Sequence, residues 1–454
     1  MSVAPARRAA LKVLGRVRER EAFGPETLDA VLAASGLSEG DHALATRLTY
    51  GTLQTSGVLD EAIDSRVDRP RDIEPRVRDA LRLATYELLF ARTPARAAVH
   101  QGVEAVRSVR PQAAGLANAV LRRLSSDAVG FPWGDPASDT AALARATGHP
   151  LWMAELFVRD LGRETAEIAL WADLEPAPLY VWHNPFLGQF GELLVLLEEE
   201  GAEPVAAEPP GCIEAGRPAA AVRSEAVASG RCLVADAAAQ LAPRIVGAHP
   251  GGLVVDLAAG RGTKTAQLQA LAVDAGSPAD LVALDVHGFK TDVLEKRMAR
   301  LGVPGVRTFV VDATDPHALE DVLAAGSADA VLVDAPCSGL GTLRRRAEKR
   351  WRVGEADLAA LSVLQGNLLR TAAALVRPGG VVVYSTCSVA RCENHDVVAA
   401  FLASEPGSSF VVRDISSAVP AAWRHRIGPE GHFQSAPEPG GPDGHFVAAL
   451  ERVG

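Results

Sequence analysis

Five short apolar runs in the second half of the chain, GGLVVDL (251–257), ADLVALD (279–285), VRTFVVD (306–312), ADAVLVD (328–334) and GGVVVYS (379–385), constrain the fold more than any other feature. Each is too short for a helix, rich in β-branched residues, and reaches an aspartate or serine at its end. Such runs describe strands buried on both faces. The segments between them carry helical periodicity, as in 355–376 with Leu358, Leu361, Leu364, Leu368, Leu369 and Leu375. Strands alternating with helices predict a doubly wound, mostly parallel α/β sheet over residues 246–454. HFVAAL (445–450) reads as one further strand. Ligands in such sheets bind outside the carboxyl ends of the strands, so the residues closing each run are the first candidates for function.

The remainder of the 454 residues needs cores of its own. Apolar residues in 1–125 recur at helical spacing, as in Ala10-Leu11-Val13-Leu14-Val17, and predict an all-helical domain. Ser, Gly, Pro and Asp crowd 126–144, which reads as a linker. Helical and short apolar stretches alternate over 145–245, suggesting a small α+β module. The chain carries a net charge of −10, but residues 1–125 hold 19 Lys and Arg against 15 Asp and Glu. That first segment is the better candidate to face a polyanion. Five cysteines without a CxxC pair suggest neither a zinc site nor a disulfide framework, and no metal is expected. The start has no apolar core of signal-peptide length, and no uncharged run is long enough to span a bilayer, so a cytoplasmic protein without membrane association is expected.

The first strand leads into Asp256-Leu257-Ala258-Ala259-Gly260-Arg261-Gly262-Thr263-Lys264-Thr265, a turn whose glycines let backbone approach a cofactor. A glycine turn alone is weak evidence. Asp285, closing the next strand, suits a ribose diol, and Asp312 and Asp334 close the third and fourth. Aspartate after a strand is more commonly a turn or cap residue, but a row of them is harder to explain that way. The fourth strand runs into Asp334-Ala335-Pro336-Cys337 and the fifth into Ser385-Thr386-Cys387. Cys212, Cys232 and Cys392 read as small packing residues. Two cysteines at neighbouring strand mouths, one beside an aspartate, suggest chemistry, although spacing does not say which does what.

These motifs resemble the bacterial rRNA cytosine-5 methyltransferases of the Fmu/RsmB type. The resemblance spans nearly the whole chain: LTYGTLQTSGVLDEAI and GLANAVLRRL resemble their NusB-like helical domain, and VDLAAGRGTKT, DAPCSGLGTLRRR, YSTCSV with Glu393-Asn394, and DGHF resemble their catalytic domain. It implies a class I methyltransferase fold using S-adenosyl-L-methionine, with cofactor contacts from Ala258, Ala259, Gly260, Arg261, Gly262, Thr263, Lys264, Asp285, Asp312 and Asp334. It also implies Cys387 as the nucleophile, Cys337 as the residue assisting product release, and Asp334 as the contact to base N3. The partner implied is RNA, 16S rRNA first, with no obligate protein partner. The sequence departs from the family at Ala258, Gly260, Arg261 and Thr263 in the cofactor loop, at Trp182 where an arginine is usual, and at His445 where the family carries phenylalanine.

A base reached from both faces must be single-stranded or flipped out of its helix. Arg344, Arg345, Arg346, Lys349, Arg350 and Trp351, and in the helical domain Arg122, Arg123 and the Arg71/Arg76/Arg78 cluster, are candidates for RNA contact, with a solvated surface as the competing reading. Three other functions stay open. They are methylation of tRNA or another RNA, a catalytically weak RNA-binding or ribosome-assembly role, and a nicotinamide-dependent oxidoreductase, which would leave Cys337 and Cys387 without purpose.

Overall fold

The computed structural model describes residues 3–20, 28, 30–32 and 34–453, which form two compact units. The first runs to Glu175 and takes in Leu343–Arg352; the second comprises Pro176–Thr342 and Val353–Gly454.

The first unit is helical. Its main helices are Pro5–Arg20, Glu39–Gln54, Ser56–Asp64, Pro75–Leu89, Ala95–Val109 and Ala114–Asp127. Local chemistry sets their starts: Ser38 Oγ accepts from the Asp41 amide, and Pro75 occupies the first helical position, where a missing N–H costs nothing. Val77, Ala80, Leu81, Ala84 and Leu88 of one helix pack on Ala98, Ala105 and Val106 of the next and on Ala117, Val120, Leu121 and Leu124. The expected linker at 126–144 is an ordered part of this unit. Phe131 stacks edge-on against Phe90 and Trp133, Arg66 lies over the Trp133 ring, and helix Thr140–Ala146 begins inside it. Turn-forming residues here shape a tight corner rather than a free tether. Two more helices, Leu151–Leu161 and Arg163–Ala172, complete the unit, so the chain passes from one compact body to the other near residue 175.

The second unit holds two sheets. Strands β1 (Leu179–His183), β2 (Pro204–Ala207), β3 (Cys212–Ala215) and β4 (Cys232–Val234) form an antiparallel sheet ordered β2-β3-β1-β4. The larger sheet contains β5 (Leu253–Asp256), β6 (Asp280–Asp285), β7 (Val306–Val310), β8 (Ala328–Asp334), β9 (Val376–Thr386), β10 (Phe410–Val412), β11 (Phe433–Gln434) and β12 (Phe446–Arg452). Its order is β10-β12-β9-β8-β5-β6-β7, with β11 pairing β12. The five runs that opened the sequence reading are its parallel strands, and β12 joins antiparallel to β9. One expectation needs amending: β7 is an edge strand, half exposed, not a strand buried on both faces. Apolar side chains of β5, β6, β8, β9 and β12 fill cores on both faces.

Helix Glu355–Leu375 covers one of those faces. It is long and apolar enough to cross a membrane by composition alone, yet Leu368, Leu369, Ala372, Ala373 and Leu375 pack into the core of the sheet.

Candidate active site

The site lies along the carboxyl ends of β5, β6, β8 and β9, where successive backbones splay and side chains project beyond the ladder. In the loop after β5, the Ala259 amide bonds the Leu284 carbonyl at 2.8 Å, stitching the loop to β6. Gly260 and Gly262 have φ of +58° and +80°, a region other residues enter only with strain. A Cβ on Gly262 would lie 2.7 Å from Leu294 Cγ and 2.9 Å from Met298 Cε, whereas one on Gly260 would meet the Ala258 carbonyl oxygen at an ordinary 4.0 Å. Helix Thr263–Asp274 therefore starts in close contact with its neighbour, leaving a cradle above Gly260. We expect Gly262→Ala to weaken cofactor binding about tenfold, through a backbone penalty of ~1–2 kcal/mol plus displacement of Leu294, measured by calorimetry with S-adenosylmethionine.

Asp285 sits beside this cradle, nearly buried. Its Oδ2 accepts from the Gly260 amide at 3.1 Å and lies 3.3 Å from Lys290 Nζ, and its Oδ1 accepts from the His287 amide at 2.8 Å. Asp312 is exposed and accepts from the Thr314 amide and hydroxyl, the turn geometry that aspartate after a strand commonly adopts. Asp256 is fully buried, accepts from Thr265 Oγ1 at 2.7 Å, and is pushed up to about 7 by burial. Arg261 is exposed, and Thr263 accepts from Arg297 at 2.9 Å. An open cradle with acids on two adjacent strand ends fits a cofactor bearing a ribose diol and a sulfonium charge.

Lys264 leaves the cofactor loop and reaches Asp334, with Nζ 2.6 Å from Oδ2. Burial pulls its ammonium down, but Asp334, by charge and hydrogen bond, together with Cys387 and Asp256, lifts it above the ordinary lysine value. Ser385 donates to Asp334 Oδ1 at 3.3 Å, and its Oγ lies 2.9 Å from His445 Nε2. Burial, followed by the Lys264 charge, holds His445 down at about 3, so its ring is neutral and can donate to Ser385. Asp334 remains about one-third exposed and faces the mouth of the site.

The two cysteines meet: Cys337 Sγ and Cys387 Sγ are 3.2 Å apart, and both are free thiols. They approach because β8 and β9 pair in parallel with Asp334 opposite Ser385, so both chains leave the sheet at the same level. The Gly341 amide bonds the Cys387 carbonyl at 3.0 Å, and a Cβ on Gly341 would strike the Gly444 backbone at 2.2 Å. The hydrogen bond to Cys387, then burial, then the charges of Cys387 and Glu393 push the Cys337 thiol well above the ordinary cysteine value. By contrast Cys212 and Cys232 are buried away from this site and pushed up to about 12 by burial, consistent with packing.

Several residues around the thiols carried no assignment from sequence: Ser338, Ser385, Ser388, Gln365 and His445. The serine directly after each cysteine was a usable signal. Gln365, on a helix 28 residues from Glu393, gave none, because only folding brings it to Glu393 at 3.0 Å.

The basic segment 343–352 is divided. Arg345 and Arg346 are exposed, but Arg344 is buried and Arg350 has no exposed surface. The Arg350 guanidinium donates to the carbonyls of Asp173, Gly148, Thr147 and Gln54 at 3.0–3.4 Å, and Trp351 Nε1 donates to Gln54 O at 2.8 Å with its ring packed on Gly57. Arg350 is therefore not part of an RNA-facing surface, because burial in a helical core uses its reach and its donors; Arg344 is buried too, and Trp351, partly buried, spends its N–H on Gln54. Arg78 is engaged by Asp60 and Asp64, while Arg122 and Arg123 are exposed. Trp182 packs among Leu233, Leu294, Met298 and Leu301, and buried Asn184 donates to the Gly230 and Leu301 carbonyls. Both are structural parts of the second unit.

A parallel sheet of this order, closed by an antiparallel last strand and carrying a glycine cradle flanked by strand-end acids, defines a class I methyltransferase fold. Residues 244–451 match the family described as 16S rRNA methyltransferase RsmB/F, and residues 4–126 match the NusB family. The chain is 37% identical to the Mycobacterium tuberculosis protein Rv1407 over 99% of its own length and 97% of that protein's. It is 32% identical to Vibrio cholerae ribosomal RNA small subunit methyltransferase B, over 82% and 84% of the two chains. Among solved structures, that of PH0851 superposes over the whole of both chains with a TM-score of 0.79 at 26% identity. NSun6 from Pyrococcus horikoshii, solved with SFG, shares the fold over 67% of this chain and 98% of its own, at TM-score 0.57 and 18% identity. The chain belongs to the RsmB/F methyltransferase family and carries an N-terminal NusB domain.

Proposed function

We propose that this protein transfers a methyl group from S-adenosyl-L-methionine to C5 of a cytosine in 16S rRNA, through a covalent bond between Cys387 and C6 of the base. The observation that carries the proposal is the pair of free thiols 3.2 Å apart, beside the Lys264–Asp334 ion pair. Family membership and the Vibrio relative's printed name support the choice of small-subunit rRNA. S-adenosylmethionine, when bound, supplies an electrophilic methyl group. Residues Ala258 to Lys264 and Asp285 would hold it, with Asp312 at the rim and Asp334 between cofactor and base.

Cytosine C5 is a poor nucleophile until a thiolate adds to C6 and makes C5 enamine-like. Cys387 performs that addition. As charge develops on the base, N3 needs a proton or a strong hydrogen bond. The family resemblance implies Asp334 in this role. With Lys264 at 2.6 Å, we place the proton on the ammonium, and the Asp334–Lys264 pair serves N3 as a unit. After methylation a base must take the C5 proton, whose bonding pair re-forms the C5=C6 double bond as the Cys387–C6 bond breaks and the sulfur leaves as thiolate; Cys337, 3.2 Å from Cys387, is the residue placed to assist that release.

Incubating the chain with methyl-labelled cofactor and 16S rRNA, free and in small subunits, should yield 5-methylcytosine on nucleoside analysis. Label confined to tRNA would move the substrate, and absence of 5-methylcytosine from every RNA would sink the proposal. Exposed Arg345 and Arg346 remain candidates for phosphate contact. Replacing both by alanine should lower the slope of log affinity against log salt by about 1.4 on single-stranded RNA.

A further inference from the structure

Glu393 lies in the turn after β9 and is fully buried. Its Oε1 accepts from the Ser338 amide at 2.8 Å and from Gln365 Nε2 at 3.0 Å. Its Oε2 accepts from the hydroxyls of Ser338 and of Ser388, the latter at 2.5 Å. Ser338 follows Cys337 and Ser388 follows Cys387, so one carboxylate ties together the two turns that present the thiols. Four donors converge on it, and among the described residues no cation pairs with it. The positive charge of the site lies elsewhere, where Lys264 bonds Asp334, and Glu393 takes two bonds from the turn of Cys337 against one from the turn of Cys387.

We propose that Glu393 is a positioning residue that sets the two thiols apart: its carboxylate ties the turns of Cys337 and Cys387 together and sits against the Cys337 turn, from which it takes both the amide and the hydroxyl of Ser338. Two cysteines at adjacent strand ends are otherwise close to equivalent, and a buried carboxylate on one side with an ammonium on the other breaks that symmetry. In a site this buried, charges a few ångströms from a sulfur act with little screening. The ionisable groups around Cys337 are Cys387, Glu393, Tyr384 and Cys392, with the Asp334–Lys264 pair beyond. Tyr384 is itself pushed well above the ordinary tyrosine value, by burial first, and stays neutral, so Glu393 is the fixed charge on that side. The inference rests on the division of labour between Cys387 and Cys337 proposed above.

The full-length chain tests it without RNA. In a Cys387→Ala background, alkylation of Cys337 by iodoacetamide is followed against pH by peptide mass spectrometry. Adding Glu393→Gln should lower the midpoint by about one pH unit or more. Glu393→Asp, which restores the charge with a shorter reach, should return it to the background value. Ser338→Ala with Ser388→Ala removes clasp donors but keeps the charge, and should leave the midpoint high. With Cys387 intact, Glu393→Gln should cut kcat about tenfold or more while KM for RNA stays within twofold. Equal midpoints for the Glu and Gln forms, with both retaining native circular dichroism, would overturn the proposal. So would equal midpoints for the Asp and Gln forms, which would make Glu393 a mechanical tie only. The alkylation readout needs no methyl transfer, so failure of the functional reading and failure of this one are distinguishable.

Discussion

Cys387→Ala is expected to reduce methylation at least about 10⁴-fold and to eliminate any covalent complex with RNA, because the proposed nucleophile is gone and the uncatalysed attack of C5 on a sulfonium is negligible. Cys337→Ala is expected to fail differently. Cys387 is still present and Lys264 still bonds Asp334, so addition and methylation proceed, but loss of the C5 proton and release of the sulfur go without the residue that assists them. Turnover should fall while an RNA–protein complex that survives denaturing electrophoresis accumulates. The two variants, run with identical RNA and labelled cofactor, separate attack from release. A complex formed by the Cys387 variant and absent from the Cys337 variant would reverse the roles. Loss of the complex in both would mean that the 3.2 Å contact between the sulfurs is needed for addition itself.

Arg350→Ala carries the second large effect, and on stability rather than on catalysis. Its guanidinium is fully buried and donates to four backbone carbonyls from three separate segments of the helical unit. Burial holds it down at about 10, still far above neutrality, so it is charged in the folded protein. Removing the side chain takes this donor from the Thr147 and Gly148 carbonyls, leaves Gln54 O to Trp351 Nε1 and Asp173 O to Gln54 Nε2 alone, and opens a void in the helical core. The expected loss is about 3–5 kcal/mol in the stability of the helical unit, read from the denaturant midpoint of its own transition. Arg350→Lys should recover little, since one ammonium cannot span four acceptors arranged for a planar fork. A change below about 1 kcal/mol with a clear loss of RNA affinity would restore Arg350 to the surface role that its sequence context suggested.

These two residues mark where sequence reading succeeds and where it stops. Cys387 was legible because it ends a strand: a buried apolar run has a recognisable composition, and whatever follows it must emerge at the sheet's edge. The same logic found Asp256, Asp285, Asp334 and Cys337. Arg350 looked like its neighbours Arg345 and Arg346 because charge runs carry no signal of which members turn inward. The compact corner at 126–144 was misread for a related reason, since the residues that make a tight packed turn are those that make a flexible one. Trp182 and Asn184 lie in a short apolar stretch that did read as part of a small α+β module, but nothing local showed that Asn184 would be held by the distant Gly230 and Leu301 carbonyls.

By itself the sequence determined the α/β domain with its five parallel strands, the helical domain before it, and the strand ends where chemistry had to lie, because hydrophobic period and turn chemistry are local properties of the chain. The tertiary structure alone decided the pairing of the thiols, the Lys264–Asp334 contact, the four-donor seat of Glu393 and the burial of Arg350. Each of these joins residues far apart in sequence, 50 in the case of Cys337 and Cys387 and 70 for Lys264 and Asp334. Their energies depend on desolvation and on distances of a few ångströms, which no local pattern encodes.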